Sequence, residues 1–430
     1  MKRIVKIIPS LLIVFLLSNC GGDDEIEVNN TKIFEVVVNQ EFETDNSDDY
    51  LIISKLSGDF IEYTQIESGQ NYTFGKGKDL EDEFIIISLI RVLQNGSSKQ
   101  FFVKIFNKIP AGDEWFLSQF VPTNTSALNY FPVEININNY PSEPGTNKIM
   151  SSRKSESSTY KNGIVEEGQM RFGTQFSDGD SDLLICYSFP RSSPSTFYHL
   201  IKKPQPAIYN LDFLTDFKEL DNSIDITLES NLTASISVSG FDDSSKITPE
   251  LIQGNVFASL GGYDLRTLNF GYLDGYHLYR TIFKIERISG AKVEYSKIGL
   301  PPTKEDFDLP SSDFAIIEKS FDVFQLEIDG DFDYLIGKWQ GRPSNDGNSF
   351  LDIEYSAPLN DFSGTQEILL PDEIISSYPE LDDLFNIEFS STTCVKRMDD
   401  KSYEGLISER FRKSQYAIPE TELYSVSRND

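Results

Sequence analysis

Over many short stretches the chain switches between apolar and polar residues at every second position. A period of two puts alternate side chains on opposite faces of an extended strand, whereas a helix needs a period near 3.6. Val133-Glu134-Ile135-Asn136-Ile137 alternates cleanly, as do residues 224–228 and 234–238. Such a pattern buries one face of a sheet and leaves the other wet. Turn residues bound these stretches, so the expected fold class is mainly β, with a few short helices.

Residues 33–38, 50–56, 60–66, 84–93 and 101–106 read as strands, with Ser57-Gly58-Asp59 and Asn95-Gly96 supplying turn chemistry between them. Five short strands in about 80 residues predict a small N-terminal sandwich, 31–110, of immunoglobulin-like or transthyretin-like type. Pro110-Ala111-Gly112-Asp113 breaks the pattern. A second β-rich unit, 111–300, holds a hairpin around Ser289-Gly290, with an exposed loop expected over residues 141–158. Within it, residues 211–220 predict a short helix with Phe213, Phe217 and Leu220 on one face. Thr248-Pro249-Glu250 predicts another helix start, ended by Gly254. Pro301-Pro302 opens a third β-rich unit, 301–430, with strands near 321–328 and 334–339 joined through Asp329-Gly330. Its end turns helical: Pro379 starts a piece with Leu381, Leu384 and Phe385 inward, and Ser402 caps a helix bearing Tyr403, Leu406, Ile407 and Phe411. No fixed-period repeat is present, which argues against a propeller or solenoid.

The first 19 residues have the parts of an export signal. Lys2, Arg3 and Lys6 give a positive start, and the apolar run over residues 11–17 is shorter than the ~20 residues that span a bilayer. The run closes in Leu17-Ser18-Asn19-Cys20, which resembles the lipobox of bacterial lipoproteins. That resemblance implies lipidation of Cys20 as the first mature residue, with several acyl chains giving a stable membrane anchor. Cys20-Gly21-Gly22-Asp23-Asp24-Glu25 further resembles the acidic export signal of surface-exposed lipoproteins of the Bacteroidota. It implies an address on the outer membrane, facing the cell exterior. The resemblance covers only about the first 25 residues. Residues 20–30 are nearly devoid of apolar side chains and form an acidic tether of roughly 15–20 Å root-mean-square reach.

The formal net charge of −30 becomes −33 once the three basic residues of the signal are removed. This acid excess disfavours nucleic acid and anionic lipid. With 39% apolar and 13% aromatic residues the body is not disordered. Beyond Cys20, the remaining cysteines are Cys186 and Cys394, which either pair outside the cytoplasm or serve as small buried hydrophobes.

Only His199 and His277 are present, so a three-histidine metal site is excluded. His277 reads as a structural histidine within a strand. No H-E-x-x-H and no G-x-S-x-G occurs, and the glycines of residues 69–77 lack phosphate-loop spacing. Two acidic ladders place carboxylates at alternate positions: Asp178, Asp180, Asp182 and Asp329, Asp331, Asp333. Alternating Asp in a turn can offer three oxygens to calcium, although Asp-Gly also simply makes hairpin turns. Trp115, Trp339, Tyr263, Tyr272, Tyr276 and Tyr279 are candidates for stacking on sugar rings, or else ordinary strand packing. These features predict a non-catalytic surface protein that binds an extracellular glycan or an envelope protein. The alternatives are a carboxylate-based glycan hydrolase and a structural subunit of an outer-membrane complex.

Overall fold

The computed structural model describes residues 32–429 except 41, 43–46, 77–82, 97, 118–129, 142–145, 152–163, 167, 178–182, 189–195, 203, 229–231, 242–250, 260–265, 288, 343–348, 361, 363, 366–368, 384–386, 400–402 and 412–419. Cys20 and the tether lie outside them. The described chain is mainly β, and none of its helices is long and apolar enough to cross a membrane.

Twelve strands form one long sheet. Its order from one edge is β18 (Leu251–Ser259), β17 (Thr233–Phe241), β20 (Leu278–Glu286), β21 (Lys292–Gly299), β27 (Thr421–Asn429) and β26 (Glu388–Arg397). It continues through β24 (Tyr334–Gly341), β25 (Phe350–Pro358), β6 (Ser98–Pro110), β5 (Phe84–Asn95), β2 (Ser47–Ser54) and β3 (Phe60–Gln65). Every pairing within it is antiparallel except one, where β25 runs parallel to β6. Antiparallel neighbours need only tight turns, and those foreseen at Ser57-Gly58-Asp59, Asn95-Gly96 and Ser289-Gly290 join β2 to β3, β5 to β6 and β20 to β21. Gly58, Gly96 and Gly290 adopt positive φ there, which glycine does without strain.

A three-stranded sheet of β4 (Asn71–Phe74), β1 (Phe34–Val38) and β7 (Glu114–Leu117) covers one face of the long sheet at its β2–β5–β6 end. Phe34, Val36, Trp115, Leu51, Ile53, Ile87 and Phe106 fill the space between the layers. The N-terminal segment is thus two-layered, yet neither layer ends at residue 110. Strand β7, from beyond it, pairs parallel with β1, and β25 continues the larger layer. The C-terminal helix α3 (Tyr403–Arg410) seals the same core: Phe411 stacks on Trp115 at 3.9 Å, and Tyr403 and Ile407 are buried.

The opposite face of the long sheet is covered by a hairpin of β22 (Asp313–Glu318) and β23 (Gln325–Asp329), by helix α2 (Asp372–Ser377), and by two 3-10 turns, Phe321–Val323 and Pro379–Asp383. Trp339, fully buried, is ringed by Phe321, Phe324 and Phe389 and donates its indole N–H to the Lys319 carbonyl at 2.8 Å. Leu381 is inward as expected, while Leu384 and Phe385 lie outside the described residues.

A second two-layer unit holds β8 (Tyr130–Asn138), β10 (Ile164–Glu166), β11 (Gln169–Ser177) and β14 (Ile208–Asp212) against β9 (Thr146–Ser151), β12 (Leu183–Ser188), β13 (Thr196–Ile201) and β15 (Lys218–Glu219). A final pair, β16 (Asn222–Leu228) and β19 (Arg266–Tyr272), contributes Ile226 and Tyr272 to a core with the β17–β20–β21 end of the long sheet.

Four local expectations fail. The helix foreseen from Thr248 to Gly254 is instead β18 from Leu251 onward, because antiparallel pairing with β17 outweighs the Pro-Glu start signal. The helix over residues 211–220 shrinks to one turn, α1 (Phe213–Asp216), since β14 and β15 claim the backbone on either side; Phe213 and Phe217 are nonetheless buried. Residues 146–151, within the loop expected over 141–158, form β9. Asp329-Gly330 does not close a hairpin to β24, because β23 pairs with β22.

Candidate functional site

The alternation that builds the middle of the long sheet gives two unlike faces. Phe101, Val103 and Ile105 on β6, and Leu351, Ile353 and Tyr355 on β25, point into the Trp339 core. The residues between them point the other way, past the edge of the covering three-stranded sheet. In-register neighbours share a face. One rung across the strands therefore carries Asp49, Arg91, Phe102, Asp352, Gln340 and Glu388. The next carries Leu89, Lys104, Glu354, Lys338 and Ser391. On the far side of Phe102 a third rung places Gln100 beside Phe350. These rungs form a ledge, with α3 as one wall.

Phe102 and Phe350 are half-buried and belong to none of the apolar clusters of the core. Around them the charges are partly matched. Asp49 accepts from Arg91 Nε at 2.6 Å, and the Arg91 guanidinium also lies 5.1 Å from the Phe42 ring. Glu354 sits between Lys338 Nζ at 3.3 Å and Arg410 Nη1 at 3.7 Å. Lys104 and Asp352, each half-buried, make no hydrogen bond or ion pair among the described residues. Burial pushes the Lys104 ammonium below its ordinary range; Glu354 opposes that shift, and Arg410, Lys338 and Arg91 reinforce it. Burial pushes the Asp352 carboxyl upward, against the pull of Lys338 and Lys104. Two neighbouring groups displaced in opposite directions by desolvation mark a candidate site on physical grounds.

Sequence reasoning missed this ledge, although its signal was present. Lys104 interrupts an otherwise apolar strand, and Leu351-Asp352-Ile353-Glu354-Tyr355 alternates perfectly. What the sequence did not reveal is that strands some 240 residues apart lie side by side.

The residues singled out from sequence fare differently. Trp115 and Trp339 are fully buried, and Tyr272 and Tyr279 nearly so, so none of them offers a face to a sugar; Tyr276 packs edge-on against Tyr279. Tyr263 lies outside the described residues. So do Asp178, Asp180 and Asp182. In the second ladder Asp331 and Asp333 both bind Lys396 Nζ at 3.0 Å, and Asp333 also accepts the Arg397 N–H at 2.7 Å, while Asp329 is exposed. An ammonium thus already stands between the two carboxylates that a calcium ion would need. Among the described residues no cluster of three or more metal-ligating side chains occurs. Cys394 is a free, fully buried thiol that burial pushes up to about 12, and the side chain of Cys186 lies outside the described residues. His199 Nδ1 lies 2.8 Å from the Asp216 carbonyl, as suits a structural histidine. His277 is not in a strand: it is exposed in the bend before β20.

A second depression, about 440 Å³, opens beside the β22–β23 hairpin between Asp313, Glu327, Ile328, Asp329 and Arg428. Its arginine is already engaged. Arg428 Nη2 donates to both Asp313 oxygens at 2.9 Å, which ties the last strand of the chain to the hairpin. No protein-family model matches the chain, and no curated protein is similar to it.

Proposed function

We propose that the chain is a lipid-anchored cell-surface protein that binds an extracellular glycan on the ledge of its long sheet. The observation that carries this reading is the pair Phe102 and Phe350, half-exposed on adjacent parallel strands and framed by Arg91, Lys104, Asp352, Gln340 and Glu354. Flat apolar faces that stack on pyranose rings, with side chains nearby that donate and accept hydrogen bonds, are what sugar recognition requires. The anchor rests on Cys20 and the signal that precedes it.

The test is affinity electrophoresis of the full chain, carrying Cys20→Ala to keep it soluble, through gels containing single polysaccharides. Retardation by one glycan, lost in Phe102→Ala and Phe350→Ala, supports the proposal. Unchanged mobility in every gel, with capture of an outer-membrane protein instead, would shift the reading to an envelope partner. The surface address is tested separately with whole cells and external protease. Survival of the protein while other surface proteins are cut would put it on the periplasmic side.

A carboxylate-based hydrolase is the second reading, and one observation favours it. Asp352 and Glu354 project from the same face of β25 two residues apart, roughly 6–7 Å at 3.3 Å per residue. Their environments differ: Asp352 is unpaired and raised by burial, whereas Glu354 is held between two cations. A raised acid beside a second carboxylate held by cations is the arrangement that glycoside hydrolysis uses. Release of reducing ends from the bound glycan, abolished by Asp352→Asn, would establish catalysis.

A further inference from the structure

We infer that the glycan taken by the ledge is acidic, and that Lys104 receives its carboxylate; this rests on the reading of the ledge as a glycan site. The chain as a whole carries a net charge of −30, so a surface that attracts an anion needs a local reason. The ledge supplies one. Arg91 on β5, Lys104 on β6, Lys338 on β24 and Arg410 on α3 converge on it and offset Asp49, Asp352, Glu354 and Glu388 there, so the ledge is neutral within an acidic chain. The facing carboxylates are mostly engaged: Asp49 holds Arg91, and Glu354 is shared by Lys338 and Arg410. Glu388 lies at the far end of the rung, across Gln340 from Asp352.

That leaves two groups without a hydrogen bond or ion pair among the described residues, Lys104 and Asp352, on diagonal positions beside Phe102. Glu354, in register with Lys104, attracts the ammonium without hydrogen-bonding it, since Glu354 is shared by Lys338 and Arg410. A sugar carboxylate would give Lys104 a charge-assisted hydrogen bond of its own and offset the cost of its burial. Asp352, whose carboxyl oxygens accept hydrogen bonds, fits the hydroxyls of the same ring. Phe102 lies in register with Asp352 and two residues from Lys104, so one uronic-acid residue stacked on it can reach both. A neutral sugar would leave Lys104 half-buried with no hydrogen-bonded counter-charge among the described residues, which is the physical basis for discrimination.

The experiment measures binding of the full Cys20→Ala chain to matched pairs of polysaccharides: homogalacturonan, alginate and hyaluronan, each with its carboxyl-reduced neutral form. The expected result is binding to at least one acidic member, at least tenfold weaker for its reduced partner. Its affinity should fall as salt rises, and Lys104→Met should weaken it about tenfold while sparing the fold. Lys104→Arg, which keeps the charge, should recover part of the loss. Equal binding to both members of a pair, or binding indifferent to Lys104→Met, would overturn the acidic preference and leave the glycan site standing. Binding to none of the acidic or neutral forms would overturn both.

Discussion

The two faces of the β6–β25–β24 segment share one backbone and have opposite characters. On one face Phe101, Val103, Ile105, Leu351, Ile353, Tyr355 and Trp339 are dry and interlocked. On the other, Phe102, Lys104, Phe350, Asp352, Gln340 and Lys338 are wet or half-wet, and two of their charges make no hydrogen bond or ion pair among the described residues. Strand geometry allows this, because a pleat separates neighbouring residues as fully as two layers of protein would. The dry face is optimised for packing. The ledge keeps apolar rings exposed and charges unmatched, which stability alone would not select.

Substitutions can break or sharpen that contrast. The largest effect is expected on the dry face, where Trp339→Ala removes a fully buried ring and should lower unfolding free energy by about 3–5 kcal/mol in urea denaturation. Next comes Cys394→Ser, which puts a hydroxyl into the same apolar core and should cost about 1–3 kcal/mol. In the folded chain Cys394 should also resist alkylation at pH 8 and react once urea unfolds the protein, as peptide mass spectrometry would read out. On the ledge, Phe102→Ala should change stability by no more than about 1 kcal/mol while lowering glycan affinity at least tenfold. A loss of stability equal to that of Trp339→Ala would mean that the two faces do not differ.

The smallest effect carries the opposite sign. Asp352 is raised in the folded chain, so its contribution is favourable at acid pH and is lost as pH rises through the folded value. Above the folded value the buried carboxylate is a burden, so Asp352→Asn should raise the melting temperature slightly at neutral pH, with the gain vanishing as pH falls below the ordinary carboxylate range. Lys104 is lowered in the folded chain, so its contribution is present at alkaline pH and is lost as pH falls through the folded value. Lys104→Met should therefore also be mildly stabilising at pH 7. Gains in stability with loss of binding are the signature of groups kept for function.

Most strands were legible because alternation and turn residues are local signals. Residues 33–38, 84–93 and 101–106 appear close to where they were expected, and so do the turns at Gly58, Gly96 and Gly290. The helix from Tyr403 was legible too, since its apolar residues recur at helical spacing. Residues 251–254 were misread as helix, because a Pro-Glu start is a weak preference that strand pairing overrides. The ledge could not be assembled from sequence at all. Its members come from residues 91, 102–104, 338–340, 350–354 and 410, and nothing local says that these strands meet. The aromatic candidates failed for a related reason: composition shows that Trp115 and Trp339 exist, but only packing shows that both are sealed.

The parallel pairing of β25 with β6 also dictates an order of events. A chain made from its N-terminus finishes β6 at Pro110, yet its partner does not exist until residue 358 has been added. Through that interval β6 has one long unpaired edge, with Phe101, Val103 and Ile105 open on one side. Such an edge is an invitation to pair with the wrong chain. The two parts of the long sheet join only when β27 inserts between β21 and β26. Folding of this sheet is therefore a late event, slow for its size because its contacts span so much sequence. A chain truncated before Thr421 would leave the sheet in two unjoined halves.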